Sequence, residues 1–186
     1  MNNKPILLGI TGAFGSGKTT ASSFFVERGF ELITLSSFLE EEIRKTHDGP
    51  ITRKALQDAG NELRKTHGAG ILAEKALEYI SKKDKQYAVI DGIRNLGEIE
   101  VLRQHEAFVL LAIVSNRKIR FERLKTSPRR ETLTWDLFTQ LDYRDLGVGE
   151  KDTGLQTGMC VSLADIFIDN NSSLEDFKQK LAQVII

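Results

Sequence analysis

A glycine-rich segment directly after the first apolar run constrains the fold of this chain more than any other feature. Residues 12–19 read Gly-Ala-Phe-Gly-Ser-Gly-Lys-Thr and fit the pattern G-x-x-x-x-G-K-[ST]. The apolar run at 6–10 predicts a strand, and Ala21, Phe24 and Phe25 fit a following helix. This order predicts a loop whose backbone N–H groups bind phosphate; an incidental glycine-rich turn is the alternative. The predicted nucleotide-binding residues of the loop are Gly12, Ala13, Phe14, Gly15, Ser16, Gly17, Lys18, Thr19 and Thr20.

Three side chains are predicted to act on ATP and Mg²⁺. Lys18 is a predicted catalytic residue, because its ammonium group would neutralise the β- and γ-phosphates. Thr19 offers Mg²⁺ a hard oxygen ligand. Residues 88–91, Ala-Val-Ile-Asp, end a hydrophobic strand as a Walker B segment does, so Asp91 is the second predicted metal ligand. A plain turn residue before Gly92 is the alternative for Asp91.

Several arginines are candidates for binding the transferred phosphoryl group, which needs positioning and positive charge rather than covalent help. Arginine suits this task because its planar fork binds phosphate through two hydrogen bonds and stays charged. Arg117, Arg120 and Arg123 are spaced by three on a predicted helix, and Arg129 and Arg130 follow. A solvated surface charge is the alternative for each of them. From their positions we predict four catalytic arginines: Arg94, Arg120, Arg123 and Arg144.

Composition and charge limit the other classes of function. A chain of 186 residues, 40% hydrophobic and 28% charged, is typical of one globular domain. Lys plus Arg and Asp plus Glu both number 26, so no global field favours nucleic acid or an anionic membrane as a partner. No apolar run approaches the roughly 20 residues of a membrane span. The single cysteine, Cys160, excludes an internal disulfide and fits a reducing cytoplasm, and the oligomeric state stays open.

Apolar, β-branched runs alternate with segments of helical period, which predicts an α/β fold with a parallel sheet. Strands are predicted near 5–11, 31–35, 86–91, 107–114 and 164–169. Helices are predicted near 17–28, 37–46, 52–66, 70–81, 96–105, 116–125, 134–145 and 173–184, the last with Ser172 and Glu175 as a capping box. Residues 37–81 and 125–160 interrupt the alternation and would overhang the ligand crevice. Trp135 and Tyr143 in the second interruption fit either base stacking or ordinary packing.

Four blocks of sequence carry a resemblance to a known family. They are residues 10–20, 52–64, 90–100 and 164–170. Over nearly its full length the chain resembles the nucleoside monophosphate kinase and dephospho-coenzyme A kinase branch of P-loop proteins. It is closer still to the kinase-like domain fused to some deoxycytidylate deaminases and to archaeal dephospho-coenzyme A kinase-like proteins. The resemblance implies ATP-dependent transfer to a nucleoside or deoxynucleoside monophosphate, with dephospho-coenzyme A as the alternative acceptor.

The resemblance also implies how the chain is organised. The expected three-layer P-loop NTPase fold has a five-stranded parallel sheet, with its core at 1–36, 82–124 and 155–186. A substrate-binding insertion at 37–81 and a lid at 125–154 complete the single domain, 1–186. Asn170 would lie near the adenine. A slow ATP-hydrolysing regulatory switch is the alternative from another class of function.

The segment at 36–40 departs from both kinase patterns. Adenylate kinases carry Asp and Arg there, where this chain has Glu40 in place of the arginine, and dephospho-coenzyme A kinases carry Asp-Ala-Asp. Another cation is therefore expected to bind the acceptor, with Arg53 and Arg64 as candidates. The predicted substrate-binding residues are Ser36, Ser37, Arg53, Arg64 and Arg94.

Overall fold

The computed structural model describes residues 6–83, 85–126 and 132–184. Its strands are β1 Ile6–Thr11, β2 Glu31–Thr34, β3 Tyr87–Asp91, β4 Phe108–Val114 and β5 Ile166–Asp169. Its helices are α1 Lys18–Val26, α2 Leu35–Arg44, α3 Arg53–His67, α4 Ile71–Ser81, α5 Leu96–Leu102, α6 Arg117–Thr126, α7 Trp135–Leu146, α8 Thr157–Ser162 and α9 Leu174–Ala182.

The strands form one parallel sheet in the order β2-β3-β1-β4-β5. The predicted α/β class and five-stranded parallel sheet are thereby confirmed. In the register of β1, Ile10 lies opposite Asp91 and Thr11 lies opposite Ala112. The carboxyl ends of the three central strands therefore meet at one edge of the sheet, where α/β proteins bind ligands.

Side chains of β1 alternate between two cores, one on each face of the sheet. Leu7 packs with residues of α2, α4 and α5, whereas Leu8 packs with residues of α1 and α9. This period of two is expected for a strand buried on both faces. Cys160 of α8 is fully buried in the first core, so it packs as a small apolar side chain. The helices thus cover both faces and complete the three layers.

The structure corrects some predicted boundaries. Helix α2 begins at Leu35 rather than at residue 37, so both Ser36 and Ser37 lie in its first turn. The predicted capping box of Ser172 and Glu175 is wrong by one residue. Ser173 is the N-cap, and its hydroxyl accepts a hydrogen bond of 3.1 Å from the backbone N–H of Asp176. Both serines precede an acidic residue by three positions, so the sequence pattern alone does not distinguish them, and the structure has Ser173 as the cap.

Residues 125–160 contain more regular structure than their sequence indicates. They hold the predicted α7 and the start of the short helix α8, Thr157–Ser162, which the sequence did not predict. Within the described ranges, no helix is both long and apolar enough to cross a membrane.

Candidate active site

The glycine-rich loop, residues 12–19, lies at the carboxyl edge of the sheet between β1 and α1. Gly12, Gly15 and Gly17 have φ angles of 147°, 82° and 106°, a region that favours glycine. A Cβ on Gly12 would collide with the carbonyl oxygen of Ile113 on β4. The loop therefore needs these glycines both for its backbone angles and for its close approach to the sheet.

Asn170, which directly follows β5, supports this loop from behind. Its side chain is buried, and Nδ2 donates a hydrogen bond of 2.8 Å to the carbonyl oxygen of Ser16. A Cβ on Gly17 would collide with the same amide group. The structure thus places Asn170 against the backbone of the loop.

Lys18 belongs to this loop, and its side chain is buried within it. Its Nζ donates hydrogen bonds of 2.6 Å to the carbonyl oxygen of Gly12 and 3.2 Å to that of Ala13. Burial, and then the neighbouring charge of Arg94, lower the pKa of Lys18 to about 8. An anion in the loop would favour the protonated form, because it would add negative charge beside the buried ammonium group.

A cleft of about 420 Å³ opens in front of the loop. Asp91 lies in its wall and is 8% exposed, and its Oδ1 atom has no hydrogen-bond partner among the described residues. Thr19 lies in the same cleft and is exposed. The cleft brings together many of the predicted site residues: Phe14, Gly15, Gly17, Lys18, Thr19, Thr20, Ser36, Arg53, Asp91, Arg94 and Arg123.

Arg53 and Arg94 share one buried carboxylate at the mouth of the cleft. Oδ1 of Asp145 accepts a hydrogen bond of 2.8 Å from Nη2 of Arg53 and one of 2.5 Å from Nη1 of Arg94. Burial alone would raise the pKa of Asp145, but the charges of Arg94, Arg53 and Lys18 outweigh it and hold the pKa below its usual value. Asp145 thus brings two guanidinium groups together at this point.

Arg120 lies beneath the glycine-rich loop rather than in the cleft. Its Nη1 donates a hydrogen bond of 2.8 Å to the carbonyl oxygen of Phe14, and its Nη1 and Nη2 both contact the carboxylate of Asp142. Arg117 donates to the same carboxylate at 3.1 Å. Arg120 therefore positions the loop, and Asp142 holds both arginines.

The aromatic residues of the second interruption contribute to packing. The ring of Trp135 packs against Phe121 and Phe138, with ring centroids 4.9 Å and 5.4 Å away. The guanidinium of Arg117 lies 4.9 Å from the ring centroids of Trp135 and of Tyr143. Tyr143 is itself exposed.

The remaining predicted residues divide between the cleft and other places. Arg123 lines the cleft and donates a hydrogen bond of 2.8 Å to the carbonyl oxygen of Asn170. Arg144 is not brought to the cleft, because it forms ion pairs with Asp58 at 2.7 Å and Glu150 at 2.6 Å. Ser37 is exposed and donates to the carbonyl oxygen of Thr34. Two further arginines of this region lie outside the described residues: Arg129 and Arg130.

A smaller recess opens off the cleft between α2, α3 and the start of α4. It measures about 70 Å³ and shares four residues with the cleft: Ser36, Arg53, Gly92 and Arg94. Arg64 lies in this recess, not in the cleft, and its Nη2 donates a hydrogen bond of 2.8 Å to Oε1 of the buried Glu98. The predicted substrate-binding residues Arg53 and Arg64 are thus at the mouth and the interior of the same recess.

Comparison with known proteins gives the family. No protein-family model matches the chain. A UPF0200 protein of Methanocaldococcus jannaschii is 31% identical over 183 residues, which cover 97% of this chain and 89% of that protein. The chain belongs to the UPF0200 family. A UPF0200 protein of Sulfurisphaera tokodaii is also 31% identical, over 181 residues that cover 96% of this chain and 95% of its own.

A solved structure gives the fold of this UPF0200 chain a second line of support. Shikimate kinase from Acinetobacter baumannii, solved in complex with shikimate, matches it with a TM-score of 0.60. The match covers 97% of this chain and 93% of the kinase at 16% sequence identity. The UPF0200 chain therefore has a P-loop kinase-like fold.

Three site residues escaped sequence analysis: Gln57, Asp142 and Asp145. The signal for the two aspartates is their spacing on α7, where Phe138, Leu141, Asp142 and Asp145 fall on one face. All four side chains are buried. An acid at a position that the helical period assigns to the core indicates a buried partner, because an unpaired buried charge is costly.

Proposed function

We propose that this chain is an ATP- and Mg²⁺-dependent phosphotransferase whose acceptor is a nucleoside or deoxynucleoside monophosphate. One arrangement carries the proposal. The glycine-rich loop with Lys18, a carboxylate oxygen of Asp91 without a partner among the described residues, and the arginine pair Arg53 and Arg94 all face one cleft. Phosphoryl transfer between two nucleotides needs these three kinds of group close together.

The loop and its surroundings fit the triphosphate of ATP. Backbone N–H groups of residues 12–19 and the start of α1 would bind the phosphate oxygens. Lys18 would exchange its contacts with the two loop carbonyls for contacts with phosphate. The lowered pKa of Lys18 shows that its charge is unfavourable in the free protein, so a bound anion would stabilise that charge. Arg123 lies across the cleft, where positive charge would stabilise the transferred group.

The cleft also fits a magnesium ion. A buried carboxylate oxygen without a partner among the described residues is costly unless a cation or water binds it, and Asp91 Oδ1 is such an atom. Thr19 offers a hydroxyl oxygen in the same cleft. Mg²⁺ is often held by one or two carboxylates together with phosphate oxygens, and when bound it neutralises charge on those phosphates.

The acceptor is proposed from charge. Arg53 and Arg94 both pair with Asp145 at the mouth of the cleft, where a phosphate group of the acceptor would find two guanidinium groups close together. A phosphate acceptor presents an anionic oxygen and needs no general base. Residues 37–81 then form the acceptor-binding insertion and residues 125–154 the lid. Support for this division comes from Asp145 of α7, which meets Arg53 of α3 at the cleft.

A coupled assay of ADP formation tests the proposal. Wild type would be assayed with nucleoside monophosphates, deoxynucleoside monophosphates and dephospho-coenzyme A, beside Lys18→Ala and the exposed control Lys54→Ala. We expect turnover with a monophosphate, its loss in Lys18→Ala and its retention in Lys54→Ala. Activity with dephospho-coenzyme A alone would overturn the proposed acceptor. If no acceptor raised ADP formation above the basal rate while ATP still bound, the phosphotransferase proposal would fail in favour of a regulatory switch.

A further inference from the structure

One face of α3 carries polar residues toward the interior of the protein. Arg53, Gln57, Gly60 and Arg64 are spaced by four, three and four, so they share a face of the helix, and all four line the recess. Glycine weakens a helix interior, but here a Cβ would lie 3.1 Å from Nη1 of Arg64. Gly60 therefore makes room for the Arg64 side chain to reach the recess.

Several buried hydrogen-bonding atoms of Gln57 and Arg64 have no partner in the part of the chain that the structure describes. Gln57 is 4% exposed, and neither its Nε2 nor its Oε1 has a partner among the described residues. Nη1 of Arg64 also has no partner among the described residues, and that side chain is 2% exposed. Buried polar atoms are nearly always satisfied, so two donors and one acceptor in one recess indicate a polar ligand that would bind them.

The other walls of the recess set the shape and charge of that ligand. Five leucines line it: Leu35, Leu39, Leu56, Leu72 and Leu155. Glu98 forms an ion pair with Arg64, so the charge of that guanidinium is already balanced. The part of the ligand that enters must therefore be neutral, with apolar faces and a polar edge. A nucleobase has this character.

We propose that the recess binds the pyrimidine base of the acceptor nucleotide, with Gln57 and Arg64 as the residues that select it. This inference rests on the proposed function, which places the acceptor phosphate at Arg53 and Arg94. Both pyrimidines carry O2 as an acceptor for Nη1 of Arg64. Their N3 and C4 substituent form a donor and acceptor pair that the Gln57 amide matches in one of its two orientations, for cytosine or for uracil.

Size favours one ring over two. The recess measures about 70 Å³, whereas an apolar cavity that holds benzene measures about 150 Å³. Even a pyrimidine must widen the recess, which is open toward the cleft through the four residues that the two share. A purine requires a larger displacement of the leucine walls and binds less tightly for that reason.

Binding measured without turnover tests this inference. Calorimetry with CMP, UMP, AMP and GMP would be done on wild type, Gln57→Leu and the exposed control Gln104→Leu, with a non-hydrolysable ATP analogue and Mg²⁺ saturating the glycine-rich loop. We expect CMP and UMP to bind at least about tenfold more tightly than the purines. Gln57→Leu should weaken pyrimidine binding by about tenfold to a hundredfold, because two hydrogen bonds are lost. Its affinity for the ATP analogue should stay unchanged, and Gln104→Leu should bind both ligands like wild type.

The outcomes separate the two proposals. Tighter binding of AMP or GMP, or unchanged pyrimidine binding in Gln57→Leu, would overturn the pyrimidine assignment while leaving phosphotransfer intact. Pyrimidine binding without ADP formation would overturn phosphotransfer alone. Because the Gln57 amide has no hydrogen-bond partner to lose among the described residues, Gln57→Leu should unfold at a denaturant midpoint no lower than wild type. A large loss of stability would also contradict the inference. The carboxylate of Gln57→Glu cannot donate a hydrogen bond, so the pyrimidine affinity of this variant gives a second measurement.

Discussion

Arg53 and Asp145 lie 92 positions apart in the chain, yet Nη2 of the arginine is 2.8 Å from Oδ1 of the aspartate. The pair joins α3 to α7 at the mouth of the cleft, and Arg94 joins the same oxygen from the segment after β3. The aspartate side chain is fully buried, whereas the arginines are 18% and 19% exposed. One carboxylate thus holds together three parts of the proposed site.

Replacement of Asp145 should destabilise the fold. Asp145→Asn removes the carboxylate that two neighbouring guanidinium groups share, and removal of one partner from a buried ion pair costs about 3–5 kcal/mol. The arginines are partly exposed, so the lower end of this range is expected. Urea unfolding measures the loss, with Asp58→Asn as the control, because the exposed pair of Asp58 and Arg144 contributes about 1 kcal/mol or less. Equal effects of the two substitutions would show that Asp145 is not a structural counter-ion.

The same carboxylate should make stability sensitive to acid. The pKa of Asp145 is lowered in the folded protein, where Arg94, Arg53 and Lys18 outweigh the effect of burial. Its contribution is therefore complete above the unfolded pKa of about 3.9 and is lost as the pH falls through the lower folded value. The stability difference between wild type and Asp145→Asn should be constant from pH 7 to about 5 and shrink below about 4. A difference that persisted undiminished at the lowest pH would contradict this linkage.

Lys18 should lower the stability of the protein when no nucleotide is bound. Its folded pKa of about 8 lies below the unfolded value, so the buried charge is unfavourable at neutral pH. Lys18→Met should therefore raise the free energy of unfolding by on the order of 1–3 kcal/mol while abolishing ATP binding. The gain should shrink as the pH rises from about 8 toward 10.4, where wild type loses the proton in both states. Thermal unfolding at pH 7 and pH 10 checks the sign, and a less stable variant at pH 7 would refute it.

Asp91 should matter for magnesium more than for stability. Its Oδ1 atom has no partner among the described residues, so Asp91→Asn removes few contacts that stabilise the fold. Loss of the carboxylate should weaken the apparent Mg²⁺ affinity in the ADP assay by about 10- to 100-fold. A magnesium titration of turnover measures this shift, and the exposed Asp48→Asn is the matched control. An unchanged magnesium dependence in Asp91→Asn would remove this residue from the metal site.

Arg123 should act on the chemical step. It lines the cleft, and arginines that stabilise the transferred phosphoryl group contribute on the order of 10³-fold or more to kcat. Arg123→Ala should lower kcat by about that factor with a smaller change in the KM for ATP. Arg103→Ala, which removes an exposed arginine paired with Asp165, should leave both constants close to wild type. A raised KM with unchanged kcat would instead assign Arg123 to ground-state binding.

Local patterns predicted most of the fold. The strands and the glycine-rich loop have short-range signals, because apolar runs, glycines and helical spacing act over a few residues. Helix α8 lacked such a signal, since its six residues, Thr-Gly-Met-Cys-Val-Ser, have neither a clear period nor a cap. Its place depends on burial of Cys160 against the core, a contact that forms only in the folded chain.

The roles of the charged residues were harder to predict because their partners are distant in sequence. Arg144 and Arg123 both lie on helices and were both predicted to be catalytic, yet Arg144 pairs with Asp58 and Glu150 instead of lining the cleft. Gln57 has no local signal at all beyond its position on the inward face of α3. A sequence locates an arginine on a helix, but which carboxylate or ligand it meets depends on how the helices pack.

The hydrogen bond from Asn170 to the carbonyl oxygen of Ser16 spans 154 positions. A growing polypeptide therefore cannot brace the glycine-rich loop in this way until β5 has left the ribosome, long after the loop itself has been synthesised. Domains tend to fold as units during synthesis. The loop is thus synthesised well before the residue that supports it, so affinity for nucleotide should emerge only once β5 and Asn170 are free to fold against the loop.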